Sequence, residues 1–166
     1  MVAMALAMVF AAGLIYAAIS DLLTMTIPNK VSIALAAIFP LAALAAGLPW
    51  QEFFMHLGAG AIILAAGIAL FAAGVFGGGD AKLLAVSALW VGFDQLLPLI
   101  SYVAILGGCL AAIVITFRQC PEWVTGGAEW SQRLYSKQSG VPYGVAISAA
   151  GLIVFAKTNF FALMMA

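Results

Sequence analysis

Six apolar runs, 2–20, 31–48, 53–76, 83–93, 96–117 and 141 to about 155, take up most of the chain and leave short polar stretches between them. Crossing about 30 Å of hydrocarbon takes roughly 20 helical residues, and a helix satisfies its own backbone there, so these runs read as membrane helices. Composition agrees: 66% of the 166 residues are apolar, 7% are charged, and the mean hydropathy is +1.20. A soluble domain carries about 25% charged residues. The expected fold is therefore all-α: one polytopic, membrane-embedded domain over 1–166 with about six transmembrane helices. The first run lacks a basic leading region and ends at a motif, so it reads as a helix and not as a cleavable signal.

The fourth segment is short. At ~1.5 Å per residue, 81–93 gives only about 20 Å of helix. Either the bilayer thins there, or the glycines at 77–79 lie below the membrane surface, where irregular backbone is tolerated only under a cover of protein or water. A wet cavity beside Asp80 is the expectation. Pro40 predicts a kink in the second segment, and Pro98 suits the first turn of the fifth. The one long polar stretch, 118–140, carries Arg118, Glu122, Glu129, Arg133 and Lys137 with Trp123 and Trp130, and reads as a surface loop with interfacial aromatics.

With six crossings, the segments after runs one, three and five share a side and hold Lys30, Lys82, Arg118, Arg133 and Lys137, five of the six bases. The positive-inside rule places them in the cytoplasm and both termini outside. Zero net charge removes the clustered basic footprint that nucleic-acid binding requires. Cys109 and Cys120 lack a C-x-x-C spacing, so neither a zinc site nor a disulfide framework is expected.

Two aspartates then stand out, Asp21 in Asp21-Leu-Leu-Thr-Met-Thr-Ile-Pro-Asn29 and Asp80 in Gly77-Gly-Gly-Asp80-Ala-Lys82. A carboxylate at the edge of hydrocarbon is costly to keep, and both fall on the cytoplasmic side, where a pair around one water can cleave a peptide. One is ionised to take a proton and the other protonated to give one; like charges held close share a proton readily. The glycines let backbone approach a substrate strand closely. Taken singly, each has a plainer explanation: Asp80 as a helix N-cap, Asp21 as an interface marker, and Pro28 as the fixed entry to the second helix. His56, beside Glu52, reads as interfacial at the outer end, and Asp94 as the cap of the outer turn. Neither G-x-S-x-G nor H-E-x-x-H occurs, which argues against serine and zinc mechanisms.

At these residues the sequence resembles the type IV prepilin peptidase family of membrane aspartic proteases. Gly77-Gly-Gly-Asp80-Ala-Lys82 is similar to its G-x-G-D motif, Asp21 with Ile27-Pro28-Asn29 to its first motif, and Val141-Pro142-Tyr143-Gly144 to a third. The first motif departs from a frequent family pattern, with Met25 and Thr26 where an Arg often precedes Ile-Pro. The resemblance implies that Asp21 and Asp80 are catalytic, with Gly77, Gly79, Lys82, Pro28, Pro142 and Tyr143 shaping the loops or touching substrate. Lys82 either attracts the charge of Asp80 or snorkels to headgroups, the second reading being favoured. Without the cysteine-paired zinc loop of larger members, the chain is similar to the small peptidases of tight-adherence (Flp) pilus systems.

That likeness implies an endopeptidase of the bacterial inner membrane that cuts a prepilin leader from its following apolar helix at the cytoplasmic face. It implies no metal, no cofactor and no methyltransferase activity. Lipid and prepilin are the expected partners, and the oligomeric state is left open. Two other readings stay open, a small proton-coupled transporter, whose site should lie near the midplane, and a non-catalytic pilus-assembly subunit.

Overall fold

The computed structural model describes residues 1–137 and 139–166. It is all-helical, with eight α-helices among the described residues: α1 (Val2–Thr24), α2 (Asn29–Ala45), α3 (Trp50–Ala72), α4 (Gly78–Val91), α5 (Leu96–Phe117), α6 (Glu129–Tyr135), α7 (Tyr143–Phe155) and α8 (Asn159–Met165). The six apolar runs correspond to α1 to α5 and α7. Three spans, α1, α3 and α5 with its leading 3-10 turn, are long and apolar enough to cross a membrane alone. A fourth is made if α7 and α8, bent by 67°, count as one. α2 and α4 are shorter, with 17 and 14 residues. The chain is a polytopic membrane protein.

α4 is short because it is the centre of the bundle and not a lipid-facing span. It packs on α2, α3 and α7 and is buried on every side from Ala85 to Val91. Trp90, fully buried, stacks on Phe10 of α1 at 4.4 Å and donates its indole N–H to the carbonyl of Leu35 in α2 at 3.0 Å. Glycines bring α3 against it: an added Cβ at Gly67 would lie 2.8 Å from Ala81 Cβ, and one at Gly60 3.0 Å from Leu89 Cβ. Small residues let helices approach closely where lipid is as apolar as the interior and only packing holds them together.

The registers of α1, α4 and α7 arrange the core in layers. Asp21 meets Gly144, Leu14 meets Gly151, and Phe10 meets Phe155, so α1 and α7 run antiparallel with matched steps. Ser87 meets Gly151 and Trp90 meets Phe155, so α4 runs parallel to α7. Stepping back along α4 from these pairs puts Asp80 at the level of Gly144 and Asp21.

Several local expectations are corrected. α1 continues past Asp21 to Thr24 and ends through Met25, a non-glycine residue with φ of 54°, whose N–H reaches the Asp21 carbonyl. The polar stretch after α5 is folded: it contains a 3-10 turn, Glu122–Thr125, and α6. Arg118 holds it by donating to the carbonyls of Leu134, Ser139 and Gly140. Trp123 is exposed there. His56 is buried and not interfacial, its Nδ1 paired with the Leu89 carbonyl at 2.8 Å and its ring against Phe39 and Phe160. Asp94 makes no side-chain cap bond in its 3-10 turn. α8 was not foreseen; started by Thr158, whose Oγ1 accepts from the Phe161 N–H, it tucks Phe160 against Phe39 and Phe155 at the end of the core that holds His56.

Candidate active site

Asp21 occupies the last turn of α1 and is 5% exposed. Two features of the sequence fix it there. The hydroxyls of Ser20 and Thr24 close the turn locally, Ser20 donating to the Thr26 carbonyl at 2.9 Å and Thr24 to the Ser20 carbonyl at 2.7 Å. Arg133, arriving from α6, donates to the carbonyl of Leu23 at 3.0 Å. A cation on the last carbonyls of a helix complements its dipole. The segment with Met25 and Thr26 thus has a guanidinium at hand, delivered from a distant helix.

Asp80 sits in the first turn of α4, but it is not the N-cap. That position belongs to Gly77, and no side chain caps the helix. The plain N-cap explanation for Asp80 therefore fails. Its carboxylate folds back over Gly77: a Cβ there would stand 2.5 Å from Asp80 Oδ2. Gly77 has an ordinary φ of −71°, so what the glycine supplies is space, not an unusual backbone. Asp80 is half-buried and makes no hydrogen bond among the described residues, while its carboxylate lies near enough to Asp21 for the two charges to interact.

The third segment completes the site. Pro142 is buried and caps α7, and Tyr143, its first residue, lays its ring over Gly107 of α5. The next residue makes the direct contact: the Gly144 N–H donates to Asp21 Oδ2 at 2.7 Å. A Cβ on Gly144 would lie 2.8 Å from that oxygen and 2.7 Å from Ile27 Cδ1, and a Cβ on Gly79 would lie 3.2 Å from Ile27 Cβ. Ile27 is thus held between two glycines, one from each of the other two motifs. Pro28 is the N-cap of α2, as its sequence position suggested.

Lys82 is exposed, and its Nζ donates to Asn29 Oδ1 at 2.8 Å, tying the first turn of α4 to that of α2. Ile27, Asn29 and Gly144 all lay within the quoted motifs, but sequence reasoning gave them no role; the signal was their adjacency to Pro28 and Tyr143. Asp80 is half-buried, and Gly77 beside it is exposed. A polar cavity of about 340 Å³ lies at the far end of the bundle around His56, Glu52, Asp94 and Lys157, and neither carboxylate of the pair lines it. Cys109 and Cys120 are free, and no cluster of three or more His, Cys, Asp or Glu that could hold a metal occurs among the described residues.

Two carboxylates at one level, near the end of a membrane bundle, one of them with a fixed backbone donor, form an arrangement suited to acid–base chemistry on a peptide. No curated protein and no solved structure matches the chain. A family model, described as the type IV leader peptidase family, matches residues 8–116, from α1 almost to the end of α5. The match takes in Asp21, Ile27 and Asp80 and stops before Gly144. Because it covers well over half of the 166 residues, the chain belongs to the type IV leader peptidase family.

Proposed function

We propose that this membrane protease is an aspartic endopeptidase that removes the leader of Flp-type prepilins at the cytoplasmic face of the bacterial inner membrane. Family membership supports a leader peptidase in general. The observation that carries the finer reading is the convergence of Asp21 and Asp80, from helices far apart in sequence, at one level of one end of the bundle. A carrier's site would sit near the midplane instead.

In this reading water is the nucleophile. The Gly144 N–H favours negative charge on Asp21, which takes the water's proton as it attacks the scissile carbonyl. Asp80, without a donor of its own, carries the shared proton and passes it toward the carbonyl oxygen or the leaving amine. Gly77 makes room for the Asp80 carboxylate to fold back, and Ile27, packed between Gly79 and Gly144, holds the three segments in place. The concentration of bases at this end supports the cytoplasmic orientation, with both termini outside.

The test is cleavage of a co-reconstituted prepilin by wild type, Asp21→Asn and Asp80→Asn, with insertion of each protein checked. Cutting by wild type and near-complete loss in each variant is the expected result. Equal cutting by either variant would remove that aspartate from the mechanism.

A further inference from the structure

Among the described residues, Ser148 Oγ is the one fully buried side-chain oxygen without a hydrogen-bond partner. Ser148 lies in α7 and is 1% exposed. A buried or exposed helical hydroxyl can turn back to the carbonyl four residues earlier, as Ser87 does to Leu83 at 2.8 Å and Thr116 to Ala112 at 2.8 Å. Ser148 leaves the equivalent carbonyl, that of Gly144, alone. A buried hydroxyl without a partner is costly, and most such groups are satisfied by protein or internal water.

The register says where this hydroxyl lies. Gly144 meets Asp21, and Gly151 meets Leu14. Ser148 falls between them, one turn below the carboxylate pair and level with the fully buried Ala17 of α1. A turn of helix rises about 5.4 Å, which is close to the span of two hydrogen bonds through one water, ~2.8 Å each. Both helices carry small side chains at this level, Ala17 on α1 and Ser148 on α7. Asp21 Oδ2 is taken by the Gly144 N–H, and its second oxygen keeps acceptor capacity.

We infer that Ser148 is a positioning residue for the carboxylate pair: through one internal water, its hydroxyl donates to Asp21 and supplies the second donor that α7 brings to that carboxylate. This rests on the aspartic peptidase reading above. The charged and titratable groups facing this layer are Asp21 from α1 and Asp80 from α4. Tyr143 of α7 packs on Gly107 of α5, Arg133 of α6 is engaged by Leu23, and Lys82 by Asn29. If Ser148 only filled space, alanine would serve as well or better, because it removes a desolvated oxygen.

The experiment measures kcat, KM and the pH profile of prepilin cleavage, with thermal midpoints, for wild type, Ser148→Ala, Ser148→Cys and Ser148→Thr. Ser148→Ala is expected to lower kcat about tenfold, the size of one lost hydrogen bond, with little change in KM. Its acidic limb should move to higher pH, because the ionised carboxylate has lost a donor. Threonine, which keeps the hydroxyl, should restore most of the rate, and cysteine, a weak donor, should not. A Ser148→Ala protein with wild-type kcat and profile, or threonine and cysteine variants of equal activity, overturns the inference. Should the alanine variant not insert, the threonine and cysteine pair decides. A wild type that cuts nothing overturns instead the peptidase reading beneath it.

Discussion

Gly144 donates its backbone N–H to Asp21 Oδ2 at 2.7 Å, across a sequence separation of 123 residues. The contact joins the end of α1 to the start of α7 and lies outside the stretch that the family match covers. It gives Asp21 a donor that no side-chain substitution elsewhere can remove, and it works only because residue 144 has no Cβ.

Gly144→Ala therefore tests the contact directly. The new Cβ would meet Asp21 and Ile27 at under 3 Å, so α7 or the carboxylate must shift. A displacement of about 1 Å at a catalytic group costs about 100-fold in rate. The expected outcome is a loss of that order in prepilin cleavage with the protein still inserted. Near-normal cleavage would show that Asp21 does not depend on this donor.

Cleavage should follow a bell-shaped pH profile. Below the acidic limb both carboxyls are protonated and no base remains. Above the alkaline limb both are ionised and no proton is left to donate. Measuring kcat/KM against pH checks this, and a profile flat through the acidic range would count against a carboxylate pair.

Asp80 should cost stability. Its half-buried carboxylate makes no hydrogen bond among the described residues, so Asp80→Asn is expected to raise the thermal midpoint by about 2–4 °C, roughly 1 kcal/mol, while abolishing cleavage. Thermal melts in detergent or lipid read this out. A fall in midpoint would point to a structural role instead.

The Lys82–Asn29 bond should behave as a pair. Lys82 is exposed, so the bond is worth at most ~1 kcal/mol. Lys82→Ala and Asn29→Ala should each slow cleavage by a few-fold, and the double variant should be no slower than the worse single one. Additive losses in that cycle would mean that the two side chains act separately.

Much of the fold was legible because a bilayer leaves few solutions. Runs such as 2–20 and 96–117 must be helices there, and α1 and α5 follow them closely. The boundaries were less legible, since hydropathy does not sense hydrogen bonding: α1 keeps its ladder past Asp21, and 118–140 folds around Arg118 although it is polar. His56 looked interfacial because its neighbours in sequence are polar, yet the turn of α3 that carries it faces the core.

The sequence by itself determined an all-helical membrane protein, the identity of two carboxylates that need a reason to be there, and the glycines around them. Those follow from composition and from local chemistry, which residue types state directly. Only the tertiary structure decided that Asp80 is not an N-cap, that Ile27 is held between Gly79 and Gly144, that Lys82 binds Asn29, and that Ser148 lies one turn beneath the pair. Each depends on the relative register of helices distant in sequence, which small residues such as Gly67, Gly144 and Gly151 set by close packing, and no periodicity within a single segment records it.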